Sequence, residues 1–175
     1  MENTAHTLNQ KGIEAFQAGQ YADAADFLQQ AAEAHAQDDN HLDAAESLNN
    51  LSVVLVKAKR AEEALKAVDG TEKIFEEAGD IKRKGMALGN KAAALEALGK
   101  SDEAITLYNE AVDIFHELGE DDLKTSVLQS ISELRLRKGQ VTSTAMDTID
   151  ALVSNPNPNL LQKILKFFFK RIAKL

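Results

Sequence analysis

The four histidines, His6, His35, His41 and His116, are the side chains best suited to proton transfer or metal ligation near neutral pH, and they lie scattered along the chain. No HExxH, GxSxG or phosphate-cradling GxxxxGKS/T motif accompanies them. There is no cysteine, hence no disulfide, no thiolate zinc site and no cysteine nucleophile, which fits a reducing compartment. The densest groups of ligand-type residues are Asp38, Asp39 and His41, and further on His116, Glu120, Asp121 and Asp122. Either could hold a cation weakly. Both read more simply as solvated residues between helices, with acids in a first turn where they favour the helix dipole. The pairs Glu62-Glu63 and Glu76-Glu77 belong to solvated faces of an acidic protein. No nucleophile, base and orienting group come together, so the chain reads as non-catalytic, with no cofactor and no metal.

A second kind of chemistry sits at the C-terminal end. Residues 159–175 hold five cations and no acid, which leaves residues 1–158 with fifteen cations against all 28 acids, a net −13 within an overall −8. Such a body repels nucleic-acid phosphates, so no nucleic-acid partner is expected. On a helical wheel the segment LLQKILKFFFKRIAKL, 160–175, spreads Leu160, Leu161, Ile164, Leu165, Phe168, Phe169, Ile172 and Leu175 over about half the circumference. Lys163, Lys166, Lys170 and Lys174 gather opposite, Phe167 sits at the apolar edge, and Arg171 intrudes on the apolar face. This is a cationic amphipathic helix. It suits an anionic membrane interface, a cap on the acidic body, or association with another protein or a second copy. Pro156 and Pro158, within the Asn/Pro link at 154–159, separate it from what precedes.

The elements that carry these residues are helices. With 44% hydrophobic residues the body can bury a core, and no proline occurs before Pro156. The N-terminus lacks a charged region followed by an apolar run, so no secretory signal is expected, and no apolar run is long enough to span a bilayer. Self-comparison gives a 40-residue period. Leu8, Leu48, Leu88 and Leu128 recur, as do the small residues Gly12, Ser52, Ala92 and Ser132. Gly19, Lys59, Gly99 and Gly139 keep the same spacing, as do Ala24, Ala64, Ala104 and Thr144. Two further columns are Leu28, Val68, Tyr108 and Thr148, and Ala31, Thr71, Ala111 and Ala151. Apolar spacing inside each unit is helical, Gly99 is placed to end one helix in a left-handed conformation, and Ser101 with Asp102 and Glu103 reads as the N-cap of the next. Each unit is therefore predicted to be an antiparallel pair of helices of about 15 residues. Its small columns let helices approach closely while the leucine column fills the space beside them.

The segments LNQKGIEAFQAGQYADAADFLQQA at 8–31 and LGNKAAALEALGKSDEAITLYNEA at 88–111 resemble the tetratricopeptide repeat (TPR). The resemblance covers residues 3–153. Its copy at 48–71 has Lys59 for the turn glycine, and that at 128–151 has Thr144 and Thr148 for an alanine and an aromatic. The 40-residue period is similar to the longer-helix subtype of kinesin light chains and Pins-type spindle adaptors. The resemblance implies an all-α superhelical solenoid of four helix pairs, at about 3–40, 41–80, 81–120 and 121–153, followed by the link and the amphipathic helix. It also implies peptide or protein binding in a concave groove lined by the first helix of each pair. In this family an asparagine there often bonds the backbone of an extended ligand; the matching column reads Gln10, Asn50, Asn90 and Ser130, with Asn9, Asn49 and Gln129 beside it. A primary amide both donates to and accepts from a peptide unit, which suits that role; ordinary solvated helix polars are the alternative. Basic residues of the kind that clamp a C-terminal carboxylate in chaperone-binding members are missing from these columns. The expectation is a cytoplasmic adaptor for an unidentified protein or peptide. The alternative is a peripheral membrane protein on the inner face of a membrane, held through Lys163, Lys166, Phe167, Phe168, Phe169, Lys170, Arg171 and Lys174.

Overall fold

Residues 2–137 are described by the structure, a computed structural model, with side chains from Thr4 onward. Gly139, Thr144, Thr148 and Ala151, the Asn/Pro link and the amphipathic segment 160–175 lie outside the described residues. The described residues up to Leu134 belong to one compact unit. Eight helices occur among the described residues: α1 Glu2–Gln17, α2 Tyr21–Gln37, α3 His41–Lys57, α4 Ala61–Val68, α5 Thr71–Glu77, α6 Ile81–Ala97, α7 Ser101–Glu117 and α8 Asp121–Arg137. No strand occurs among them, and none of these helices is long and apolar enough to cross a membrane.

One turn is used six times. The residues at 19, 39, 59, 79, 99 and 119 all have left-handed backbone, with φ between 56° and 76°. In each, the left-handed residue's N–H bonds the carbonyl three residues back, and the next N–H bonds the carbonyl five back, as Gly19 to Phe16 and Gln20 to Ala15. This double closure ends each helix and starts the next within three residues. The 40-residue sequence period is thus two 20-residue structural half-periods. So tight a turn makes the residue after the left-handed one the N-cap, which is why Lys100 holds that position and Ser101, expected there, is the first residue of α7. Side-chain caps appear at Asn40 and Asp80, whose carboxamide and carboxylate oxygens accept from the N–H of Asp43 and Arg83.

Packing follows the columns. Ala24, Ala64 and Ala104, then Leu28, Val68 and Tyr108, then Ala31, Thr71 and Ala111 are all buried. Gly12 is required by close approach: a Cβ there would fall 2.6 Å from Leu28 Cγ across α1 and α2. In α8 the pattern departs. Leu128 is 44% exposed, Ser132 is exposed too, and the helix instead turns Ile131 and Leu134 into the core with Leu95 and Tyr108.

The expectation of uninterrupted helices of about 15 residues fails once. Asp69 and Gly70, the latter at φ 83°, split the second helix of the second unit into α4 and α5. The Thr71 hydroxyl donates to the Val68 carbonyl at 2.8 Å across the break, and Lys91 on α6 reaches Asp69 at 2.7 Å and Glu72 at 3.2 Å. Glycine's access to left-handed backbone permits the break, and these bonds offset its unsatisfied groups.

Candidate partner-binding face

The first helices α1, α3, α6 and α8 carry the two amide columns, and the structure divides these residues by what holds them. Asn49 is 4% exposed, and its Oδ1 accepts from Asn90 Nδ2 at 2.9 Å, joining α3 to α6. One unit earlier the Ser47 hydroxyl donates to Asn9 Oδ1 at 3.4 Å, joining α3 to α1. These residues therefore act as polar bridges between successive first helices. Gln10 and Gln129 are exposed and donate along their own helices to Glu14 and Glu133, each at 3.0 Å. The Ser130 hydroxyl donates to the Ser126 carbonyl at 3.3 Å. Asn50 is half-buried, and its side chain makes no hydrogen bond among the described residues.

Asn90 and Ser130 line one cleft of about 240 Å³ between α6 and α8. Gly89 on α6 leaves open space there, with nothing within 4 Å of a Cβ placed on it, whereas Gly85 permits close approach of α7, since a Cβ there would fall 2.9 Å from the Phe115 ring. Two larger clefts, about 700 and 470 Å³, lie between successive second helices, α4 with α7 and α2 with α4, away from the amide columns.

Ion pairs brace the frame around this face. Arg83 on α6 bonds Asp80 at 2.6 Å and Glu46 on α3 at 2.7 Å, and its guanidinium lies 5.3 Å over the Phe75 ring. The Arg83 backbone N–H, together with the guanidinium and against the effect of burial, holds the Asp80 carboxyl below the usual carboxylate range. Burial opposes the charge on Lys91, yet its bonds to Asp69 and Glu72 outweigh that and raise its pKa.

The acidic groups seen in the sequence do not converge. Asp38, Asp39 and His41 are all exposed. Glu120 pairs with Lys82 at 2.7 Å, and Asp121 pairs with Lys124, whose hydrogen bond keeps that carboxyl below its ordinary range. A grouping that sequence spacing missed does converge: His6 on α1, His35 on α2 and Asp43 on α3, with ligating atoms within 4.8 Å of one another. The tail residues Lys163, Lys166, Phe167, Phe168, Phe169, Lys170, Arg171 and Lys174 lie outside the described residues.

Comparison with known proteins agrees on the fold. A TPR-like protein from Chlorobium tepidum is 22% identical with a TM-score of 0.62, covering 75% of this chain and 94% of its own. A kinesin light chain with nearly identical TPR-like repeats from Podospora anserina is 18% identical with a TM-score of 0.69, covering 87% of this chain and 74% of its own. No curated protein sequence matches. The model of one family, the soluble NSF attachment proteins, matches residues 2–172. The chain is an all-α, TPR-type helical-repeat protein and belongs to the soluble NSF attachment protein (SNAP) family.

Proposed function

We propose that the chain is a non-catalytic adaptor that binds a partner protein, or an extended peptide of one, along the amide-bearing face of its first helices. The observation that carries this reading is the half-buried, unengaged amide of Asn50, in register with Asn90 and Ser130 at the α6–α8 cleft. An amide free to donate and accept matches the alternating groups of a peptide backbone without demanding a particular side chain. The family's name describes attachment to NSF, so NSF is the partner to try first.

Asn50→Ala combined with Asn90→Ala is expected to remove capture of NSF by the immobilised chain, and of partners from its native lysate, while helical content by circular dichroism is kept. The Asn90 change also removes a bond to Asn49, so Asn50→Ala alone should already weaken capture. An unchanged capture profile from both variants sinks the groove reading.

A further inference from the structure

We propose that His6, His35 and Asp43 form a binding site for one divalent transition-metal ion of the zinc class, joining α1, α2 and α3. The repeat itself shows that these positions are brought together by the fold. Forty residues on, the equivalent positions are Glu46, Phe75 and Arg83; there Arg83 bonds Glu46 at 2.7 Å and covers the Phe75 ring at 5.3 Å. Eighty residues on they are Met86, Phe115 and Leu123, which line one cleft together. In the first unit the same junction holds two imidazoles and a carboxylate.

His35 is the residue that asks for an explanation. It is 2% exposed, in the slot that Phe75 and Phe115 fill at 0% and 2%. Among the described residues neither of its ring nitrogens is hydrogen-bonded; its contact there is an edge-on approach to the His6 ring, with centroids 4.9 Å apart. An imidazole at a slot otherwise filled by phenylalanine gains nothing from packing that phenylalanine does not, and its ring nitrogens keep a trace of solvent contact. A metal ion can take the place of water at a ring nitrogen.

The rest of the geometry accommodates it. Zinc with bonds of about 2.0–2.1 Å in a tetrahedron needs ligand atoms about 3.3 Å apart. His6 Nε2 and Asp43 Oδ2 are now 3.9 Å apart, with side chains 56% and 30% exposed, so rotation about their own bonds can close the gap. Asn40 Nδ2 already donates to Asp43 Oδ2 at 2.6 Å, the outer-shell bond that orients a ligating carboxylate. Two nitrogens and one oxygen select zinc-like ions over calcium and magnesium, with water as the fourth ligand. The competing account, a charge-reversed copy of the Glu46–Arg83 pair with His35 as mere packing, makes no use of the His35 nitrogens.

Titration calorimetry of the full chain with zinc chloride, cobalt(II) absorption spectra and thermal melts separate the two. The expected result is one zinc per chain, a tetrahedral cobalt spectrum, a raised Tm in zinc and no response to calcium. His35→Phe, which copies the two later units, should keep or raise the metal-free Tm while losing at least about tenfold in zinc affinity, since outer-shell changes alone cost that much. His6→Gln, at an exposed position, should lose affinity likewise. Absence of saturable one-to-one binding by the wild type, or zinc affinity undiminished by either substitution, overturns the site.

Discussion

Lys59 occupies left-handed backbone at φ 62°, in the column where Gly19 and Gly99 stand at 75° and 76°. Left-handed backbone costs a residue with a Cβ about 1–2 kcal/mol, offset in part by the chain entropy that a glycine gives up. Lys59→Gly should therefore stabilise the protein by up to about 1 kcal/mol, and Gly99→Ala should destabilise it by about 1–2 kcal/mol. No atom lies within 4 Å of a Cβ placed on Gly99, so the second effect is backbone strain alone. Urea denaturation midpoints of the two variants test both signs; a destabilised Lys59→Gly contradicts the argument. Single positions were legible in the sequence wherever one requirement governed them, as left-handed backbone governs the glycine column and close packing governs Gly12. His6, His35 and Asp43 were not legible. Their approach depends on how three helices pack, and spacing along the chain does not encode it.

At the scale of elements, the helix–turn rhythm was readable because period and punctuation agree, while the break between α4 and α5 was hidden by that same regularity. The cue is Asp69-Gly70 inside an apolar pattern that otherwise continues, and what decides it is tertiary: Lys91 from α6 braces both sides. The N-cap of α6 offers a measurable consequence of such bracing. Asp80 accepts from the Arg83 N–H and pairs with its guanidinium, so the folded state holds the carboxyl's proton less tightly than the unfolded state does. Its contribution is present above the ordinary carboxylate range and is lost as pH falls through the depressed folded value. Asp80→Asn retains a capping oxygen but not the charge, and should cost about 1 kcal/mol at pH 7. The gap between wild type and variant should narrow as pH drops from about 7 to about 3, below the ordinary aspartate value. A gap that stays constant in urea melts across that range shows that the charge on Asp80 contributes nothing.

At the scale of the molecule, α6 is shared between neighbouring cores. Ala94 belongs to the core that also holds Val54 and Leu55 of α3 and Ala64 of α4, while Ala92 and Leu95 belong to the one that holds Tyr108, Ile131 and Leu134 of the later helices. A stack in which each pair touches only its neighbours transmits stability through such shared helices, and its cooperativity is set by the strength of each junction. The amide bridges from α1 to α3 and from α3 to α6 add a polar seam on the face that carries the amide columns. A loss inside α6 should therefore be felt on both sides of it. Leu95→Ala leaves a cavity at a 5%-exposed position and should cost about 2–5 kcal/mol. Hydrogen exchange followed by mass spectrometry should show protection falling in α2 and α3 as well as in α7 and α8. If the lost protection is confined to α6, α7 and α8, the first two helix pairs are stable without their neighbour, and the face that carries the amide columns is assembled from independently opening parts rather than held as one surface.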